Sequence, residues 1–181
     1  RLKSIHYFTT SFADRLCGLK TILPEGASQI DPKDADTLRF AVRTDGKRGF
    51  VFVNNYQDHF ELPNRTQEEI VLELDNETIA YQFGIAGDEN AIIPFHFDLD
   101  GIDLVYATAQ PLIRIAPEGK VTYVFMAPDG MQADIRSKEL VKQRMEVIEA
   151  VVSEKPVTVV TSFDGFMDAG LLHVADHHIS P

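Results

Sequence analysis

Tryptophan is absent from this chain of 181 residues, and cysteine occurs once, at Cys17. Without Trp the chain lacks the flat aromatic platform that carbohydrate-binding surfaces commonly present, and one Cys excludes an internal disulfide. Positive charge is scarce: 17 Lys and Arg stand against 28 Asp and Glu, a net charge of −11, with no long basic run. Such a surface repels phosphate backbones, so nucleic acid is not an expected partner. No apolar stretch approaches the roughly 20 residues that a membrane-spanning helix needs, so a membrane is not an expected partner either. There is no Gly-x-Ser-x-Gly elbow and no Gly-rich phosphate loop. The sequence opens at Arg1, with no initiator Met and no signal-peptide pattern, and stops at Ser180-Pro181 with no evident closing element. The expectation is a piece of a longer protein.

What is present is ordinary for a folded domain. Hydrophobic residues make up 44% and charged residues 25%, enough apolar surface for a core without staples and too much for disorder. Ile5, Phe8, Phe12 and Leu16 recur at steps of three and four, which predicts a helix over Leu2 to Gly18 with one apolar stripe. Turn formers and charges from Pro24 to Asp36 read as a linker.

From Leu38 the period becomes that of strands. Leu38 to Val42 and Gly49 to Val53 flank Asp45-Gly46, and Ile70 to Leu74 and Thr78 to Phe83 flank Asp75-Asn76. Ile92 to Leu99 and Ile102 to Ala107 flank Asp100-Gly101, while Leu112 to Ile115 and Val121 to Met126 flank Pro117 to Lys120. Each pair reads as a hairpin, and the Asp100-Gly101 pair suits the positive φ that two-residue connections require. So many hairpins with little room for crossover helices predict an antiparallel β-sandwich. Over Ser137 to Glu154 two readings compete. Val141, Met145, Ile148 and Val152 fit a second helix, which local propensity favours, whereas Met145, Val147, Glu149 and Val151 alternate as a strand would. Val157 to Thr161 reads as strand.

Several side-chain groups could carry chemistry. Retaining glycosidases need two carboxyl groups about 5 Å apart, and the clusters to consider are Glu68-Glu69 and Asp98, Asp100 and Asp103. The first lies in a charged loop before a strand. The second surrounds a turn in which Asp serves the backbone. Neither is read as catalytic. His173, Asp176, His177 and His178 have a spacing that could seat a metal, but they fall at the end of the sequence, where residues are poorly tied down. No metal and no cofactor is therefore expected. Cys17 has no His nearby and reads as a small core residue. Asn54, Asn55 and Tyr56 end a strand with two amides and a phenol, groups that could meet sugar hydroxyls; the alternative is that the amides satisfy backbone groups while Tyr56 packs at an edge. The abundant Phe residues alternate within strands and read as core.

Three phrases carry a resemblance. Leu38-Arg39-Phe40-Ala41-Val42-Arg43-Thr44-Asp45-Gly46 is followed by Gly49-Phe50-Val51-Phe52-Val53-Asn54-Asn55-Tyr56-Gln57, and then Ile93-Pro94-Phe95 leads to Leu104-Val105-Tyr106-Ala107-Thr108-Ala109-Gln110-Pro111-Leu112. In this order and spacing they resemble the region after the catalytic barrel in bacterial β-galactosidases of glycoside hydrolase family 35. Tyr106 to Gln110 is similar to a tyrosine-small-threonine-alanine-acid phrase in the second, all-β domain of fungal members. The resemblance covers residues 38 to 126. It implies an antiparallel β domain with an immunoglobulin-like part, beside a (β/α)₈ barrel that cleaves terminal β-galactosyl residues with a glutamate pair. No segment here matches the strands that bear those glutamates.

The expected organisation is a helix leaving a missing barrel at residues 1–20, a linker at 21–37 and an antiparallel β domain at 38–181. The expected role is a non-catalytic accessory domain of a β-galactosidase, supporting the barrel or shaping its cleft, with galactosides met through the parent. The alternatives are an autonomous carbohydrate-binding module, with Asn54, Asn55 and Tyr56 as its contacts, and a small metal-dependent enzyme. Secreted, periplasmic and cell-surface locations all remain open.

Overall fold

The computed structural model describes residues 2–116, 121–137, 147–152 and 155–161. The chain opens with α1 (Leu2–Leu16), followed by β1 (Lys20–Ile22), β2 (Arg39–Thr44), β3 (Gly49–Asn55), β4 (Arg65–Glu73) and β5 (Thr78–Ile85). Then come β6 (Glu89–Asp98), β7 (Asp103–Ala107), β8 (Gln110–Ile115), β9 (Thr122–Met126), β10 (Ile135–Ser137), β11 (Val147–Val152) and β12 (Lys155–Thr161). A central six-stranded sheet has the order β1-β2-β3-β6-β7-β10, a four-stranded sheet has the order β11-β12-β9-β8, and β4 and β5 form a ribbon of their own. Every pairing is antiparallel. The protein is a β-sandwich with an N-terminal helix.

The four expected hairpins are β2–β3, β4–β5, β6–β7 and β8–β9. At the third turn Asp100 (φ 54°) and Gly101 (φ 103°) both lie in the left-handed region, and the Leu99 amide donates to the Ile102 carbonyl at 2.9 Å. That is the conformation the Asp-Gly pair predicts. Gly49 is required for a different reason: a Cβ there would run into the Arg43 carbonyl on β2. The connecting residues 117–120 lie outside the described residues.

The run Gly49-Phe50-Val51-Phe52-Val53 is apolar at every position because β3 is covered on both faces, which removes the need for a polar side. Val51 and Val53 face a core shared with Ile70 and Leu72 of β4 and Ile79, Tyr81, Phe83 and Ile85 of β5. Phe50 and Phe52 face a second core with Phe8 and Phe12 of α1 and with Tyr123 and Phe125 of β9. The ribbon β4–β5 therefore covers one side of the central sheet, and α1 with the four-stranded sheet covers the other.

Strand β6 serves both cores by changing face. Ala91, Ile93 and Phe95 alternate into the ribbon core, yet Phe97, two residues after Phe95, belongs to the helix-side core. Between them His96 has φ 44°. A left-handed residue turns the strand over, so the strict alternation of side chains breaks there. The His96 ring spans the break, with Nδ1 at 3.1 Å from Asp103 on β7 and Nε2 at 3.1 Å from Glu77 in the β4–β5 turn.

Helix α1 lies on the second core through Phe8 and Phe12. Phe8 meets Phe50 edge-on at 5.4 Å, and Phe12 meets Phe97 edge-on at 5.2 Å, the arrangement aromatic quadrupoles favour. Arg15 stacks over Phe97 at 4.5 Å and donates to the Tyr123 hydroxyl at 3.1 Å, and it also bonds the Asp98 carbonyl. The helix end is received by Arg43, which donates to the Leu19 carbonyl at 3.0 Å. Ile5 and Tyr7 are left 45% and 44% exposed. Cys17 is exposed rather than in the core, because the stripe that points inward is Phe8, Phe12 and Leu16 and the next residue falls off it.

Two expectations about the later and linking segments meet the structure differently. Over Ser137 to Glu154 the strand alternative holds at Val147–Val152, which pairs along its length with β12; residues 138–146 and 153–154 lie outside the described residues. The expected linker from residue 21 begins inside β1, whose Lys20 to Ile22 pair with Thr44 to Val42. Its later part is pinned: the Asp34 carboxylate accepts from the Thr37 hydroxyl at 2.7 Å and from the Asp36 and Thr37 amides. Those bonds, the hydroxyl's first, hold Asp34 below the usual carboxylate range.

The Tyr106 to Gln110 phrase is the corner at which the chain leaves the central sheet for the other. Tyr106 donates to Asp134 at 2.8 Å, and the Thr108 hydroxyl donates to the Gln132 carbonyl while accepting from the Asp134 amide, both at 2.7 Å. Gln110 Oε1 accepts from the Ile92 amide of β6 at 3.1 Å. Ala107 and Ala109 are fully buried between these fasteners, where small side chains let the two sheets approach.

Burial, and then the Asp134 carboxylate that accepts its proton, pushes the Tyr106 phenol up to about 12. Burial also raises Tyr81 and Tyr123. Unfolded phenols ionise near 10, so this contribution to stability is present below pH 10 and is lost as pH rises through about 12. In a spectrophotometric titration, part of the phenolate absorbance of the five tyrosines is expected only when the protein unfolds. Complete ionisation near pH 10 with the fold intact would contradict the packing around Tyr81 and Tyr106.

Candidate functional site

The end of β3 brings together the amide and tyrosine residues singled out in the sequence, and the structure separates their tasks. Asn55 is fully buried. Its Nδ2 donates to the Pro63 and Ala86 carbonyls at 3.0 and 2.9 Å, and its Oδ1 accepts from Arg65 Nε at 2.9 Å. Arg65, 8% exposed, goes on to Glu68 at 3.0 Å and to the carbonyls of Asp36 and Ala35 at 2.9 and 2.8 Å. Buried polar groups are tolerated when they are satisfied in this way. Asn55 thus satisfies backbone, as one of the two sequence readings had it, and faces no solvent.

Asn54 has a local task, its Oδ1 accepting the Tyr56 amide at 3.0 Å. Tyr56 is 38% exposed, with its hydroxyl 3.5 Å from Asp58. The following turn closes through the Gln57–Phe60 bridge, the Phe60 amide donating to the Gln57 carbonyl at 3.3 Å. His59 inside it has φ 60°, and Phe60 is 41% exposed. Leu62, by contrast, is buried. The result is a loop of residues 56–62 whose neck is tied by the Asn55 side chain reaching Pro63, the build of a compact Ω-loop. Its tip carries two half-exposed aromatic rings, the Asp58 carboxylate and the His59 imidazole, 3.4 Å from Asp58.

The sequence pointed to Asn54, Asn55 and Tyr56. The structure keeps Tyr56 at the surface, withdraws Asn55 into a neck, and adds Asp58 and Phe60. Among the described residues Phe60, 41% exposed, departs from the reading of Phe as core. Its only sequence signal was its place in a short polar stretch, Gln57 to Glu61, with no strand period around it.

The carboxylate clusters are each dispersed among structural partners. Glu68 meets Arg65, and Glu69 accepts from Gln82 at 3.3 Å. Asp98 accepts the Gly101 amide at 2.6 Å, Asp100 takes Nε and Nη2 of Arg114 at 2.9 and 2.7 Å, and Asp103 faces His96. The His96 ring, flanked by carboxylates at both nitrogens, is occupied in joining the ribbon turn to β7. Among the described residues no group of three or more His, Cys, Asp or Glu is arranged to hold a metal ion. His173, Asp176, His177 and His178 lie outside the described residues.

Comparison of the chain with family models, with curated proteins and with solved structures finds no match.

The division of labour in the loop gives a direct expectation. Asn55→Ala removes the partner of Arg65 Nε and of two carbonyls in a buried site, so it is expected to lower stability by about 1–3 kcal/mol. Tyr56→Ala removes a half-exposed ring and is expected to stay within about 0.5 kcal/mol of the parent. Urea denaturation of the two variants checks this, and equal losses would mean that the neck and the tip are not separate.

Proposed function

We propose that this chain is a non-catalytic accessory domain of a β-galactosidase of glycoside hydrolase family 35, supporting the catalytic barrel or shaping its cleft. The observation that carries the proposal is the state of α1. Phe8 and Phe12 commit the helix to the sandwich, while Ile5, at the N-terminal end of their stripe, and Tyr7, off that stripe, remain about half exposed. An apolar side chain left in water forgoes about 1.5–3 kcal/mol of burial, and a helix apolar beyond one stripe suits a position between two partners. The sandwich is one, and the proposed barrel is the other.

The three phrases behind the family resemblance support the reading in a second way. Leu38 to Gln57 forms β2 and β3, Ile93-Pro94-Phe95 lies in β6, and Leu104 to Leu112 runs through β7 into β8. In space β2, β3, β6 and β7 are consecutive neighbours in the central sheet. The quoted residues are therefore one contiguous structural unit, as expected of a resemblance that reflects a shared domain.

The test is enzymatic. The complete product of the gene is expected to hydrolyse a chromogenic β-galactoside, and removal of the present residues from it to lower its melting temperature or its turnover. The present chain alone is expected to be inactive, since hydrolysis needs an acid and a nucleophile held together. A complete product without β-galactosidase activity overturns the proposal. So does turnover by this chain alone that one Asp or Glu substitution abolishes.

A further inference from the structure

The tip of the 56–62 loop combines exposure with rigidity, and that combination calls for an explanation. Two large apolar rings, Tyr56 and Phe60, stand at about 40% exposure within five residues of each other. Most other rings of the described chain are buried in its two cores. The backbone that presents them is held against its own preference, since His59 occupies the left-handed region at φ 60°, where a non-glycine residue is disfavoured. It is held by the Gln57–Phe60 bridge, the Asn54 side chain on the Tyr56 amide, buried Leu62, and the fully buried Asn55 closing the neck on Pro63. A conformation over-determined in this way arrives at an encounter with its rotational freedom already reduced.

The chemistry of the tip selects the ligand. Aromatic faces offer apolar contact, and carboxylates accept hydroxyl protons. Asp58 already lies within reach of the Tyr56 hydroxyl at 3.5 Å, and Glu61 is exposed beside Phe60. From Tyr56 to Glu61 there is no Lys or Arg, and the chain as a whole carries −11, so an anionic ligand is repelled. A neutral ring with one apolar C–H face and several hydroxyl groups matches both kinds of group. We propose that Tyr56, Asp58 and Phe60 form a contact site for a neutral pyranoside. The inference rests on the galactosidase reading for its choice of sugar: within the parent, this tip meets a β-galactoside.

The experiment uses the present chain with methyl β-D-galactopyranoside as the probe, followed by amide chemical-shift perturbation, with a lysine-rich peptide as a second probe. The expected result is saturable, millimolar binding of the galactoside, with shifts centred on residues 54–62. Affinity should fall about tenfold in Tyr56→Ala and in Phe60→Ala, equivalent to about 1.4 kcal/mol, while the amide spectrum of the two cores is unchanged. Asp58→Asn, which removes charge but keeps shape, guards against a variant that fails to fold and is expected to weaken binding as well. No saturable shift with the parent chain, or binding indifferent to all three substitutions, overturns the inference. So does saturable binding of the peptide alone at these residues, which would make the tip a contact for cationic protein segments. The galactosidase reading fails independently: a complete gene product without galactosidase activity, alongside a tip that binds the sugar, sinks that reading and leaves this one standing.

Discussion

A strand that is apolar on both faces has no solvent side, and β3 and β6 are two such strands lying next to one another. Their burial needs a cover above and a cover below. The β4–β5 ribbon supplies one, and α1 with β8 and β9 supplies the other. The ribbon is marginal in water by itself, and so is a helix as short as α1. The central pair gives both an apolar surface to fold against. Loss of either cover would expose Val51 and Ile93 on one side or Phe50 and Phe97 on the other, all of them nearly or fully buried.

Two local devices let one sheet serve two cores. The first is His96, whose left-handed backbone sends Phe95 and Phe97 to opposite sides, with its ring tied to Glu77 and Asp103 across the discontinuity. The second is the Tyr106 to Gln110 corner, where a phenol and a hydroxyl bond the 132–134 segment and an amide oxygen accepts from β6. The first ties side chain to side chain across a break in the strand, and the second satisfies backbone groups with side chains. The residues that carry the family resemblance at this corner are thus fasteners, so what they report is the fold.

How much of this was legible from residues alone varied along the chain. The hairpins from 38 to 126 were, because Asp-Gly turns and period-two alternation act over a few residues and agree with each other. The second core was half legible: Phe8 and Phe12 announce an inward stripe, but that their counterpart is Phe97 depends on the inversion at His96, and nothing local marks His96 for positive φ. At Val147–Val152 helix and strand periods fit equally well, and pairing with β12, a tertiary event, decides. In the candidate loop, Asn55 and Tyr56 are adjacent in sequence yet fall on opposite sides of the surface. The difference is made by Arg65, Pro63 and Ala86, whose approach no local pattern encodes.

Among the described residues, the carboxylates of the two clusters serve turns, guanidinium groups and an imidazole bridge, most aromatic residues lie in two cores, and the exposed large apolar groups are few: Ile5 and Tyr7 of α1, Ile22 and Leu23 at the β1 end, Val71, and Tyr56 and Phe60 of the 56–62 tip. The central functional claim is that α1 is held between the sandwich and a second body. Hydroxyl-radical footprinting of Tyr7 measures it most directly, comparing the present chain with the complete gene product. The account predicts that Tyr7 is oxidised readily in the isolated chain and is strongly protected in the complete product, with buried Phe8 as the internal reference. Equal oxidation of Tyr7 in both would contradict it.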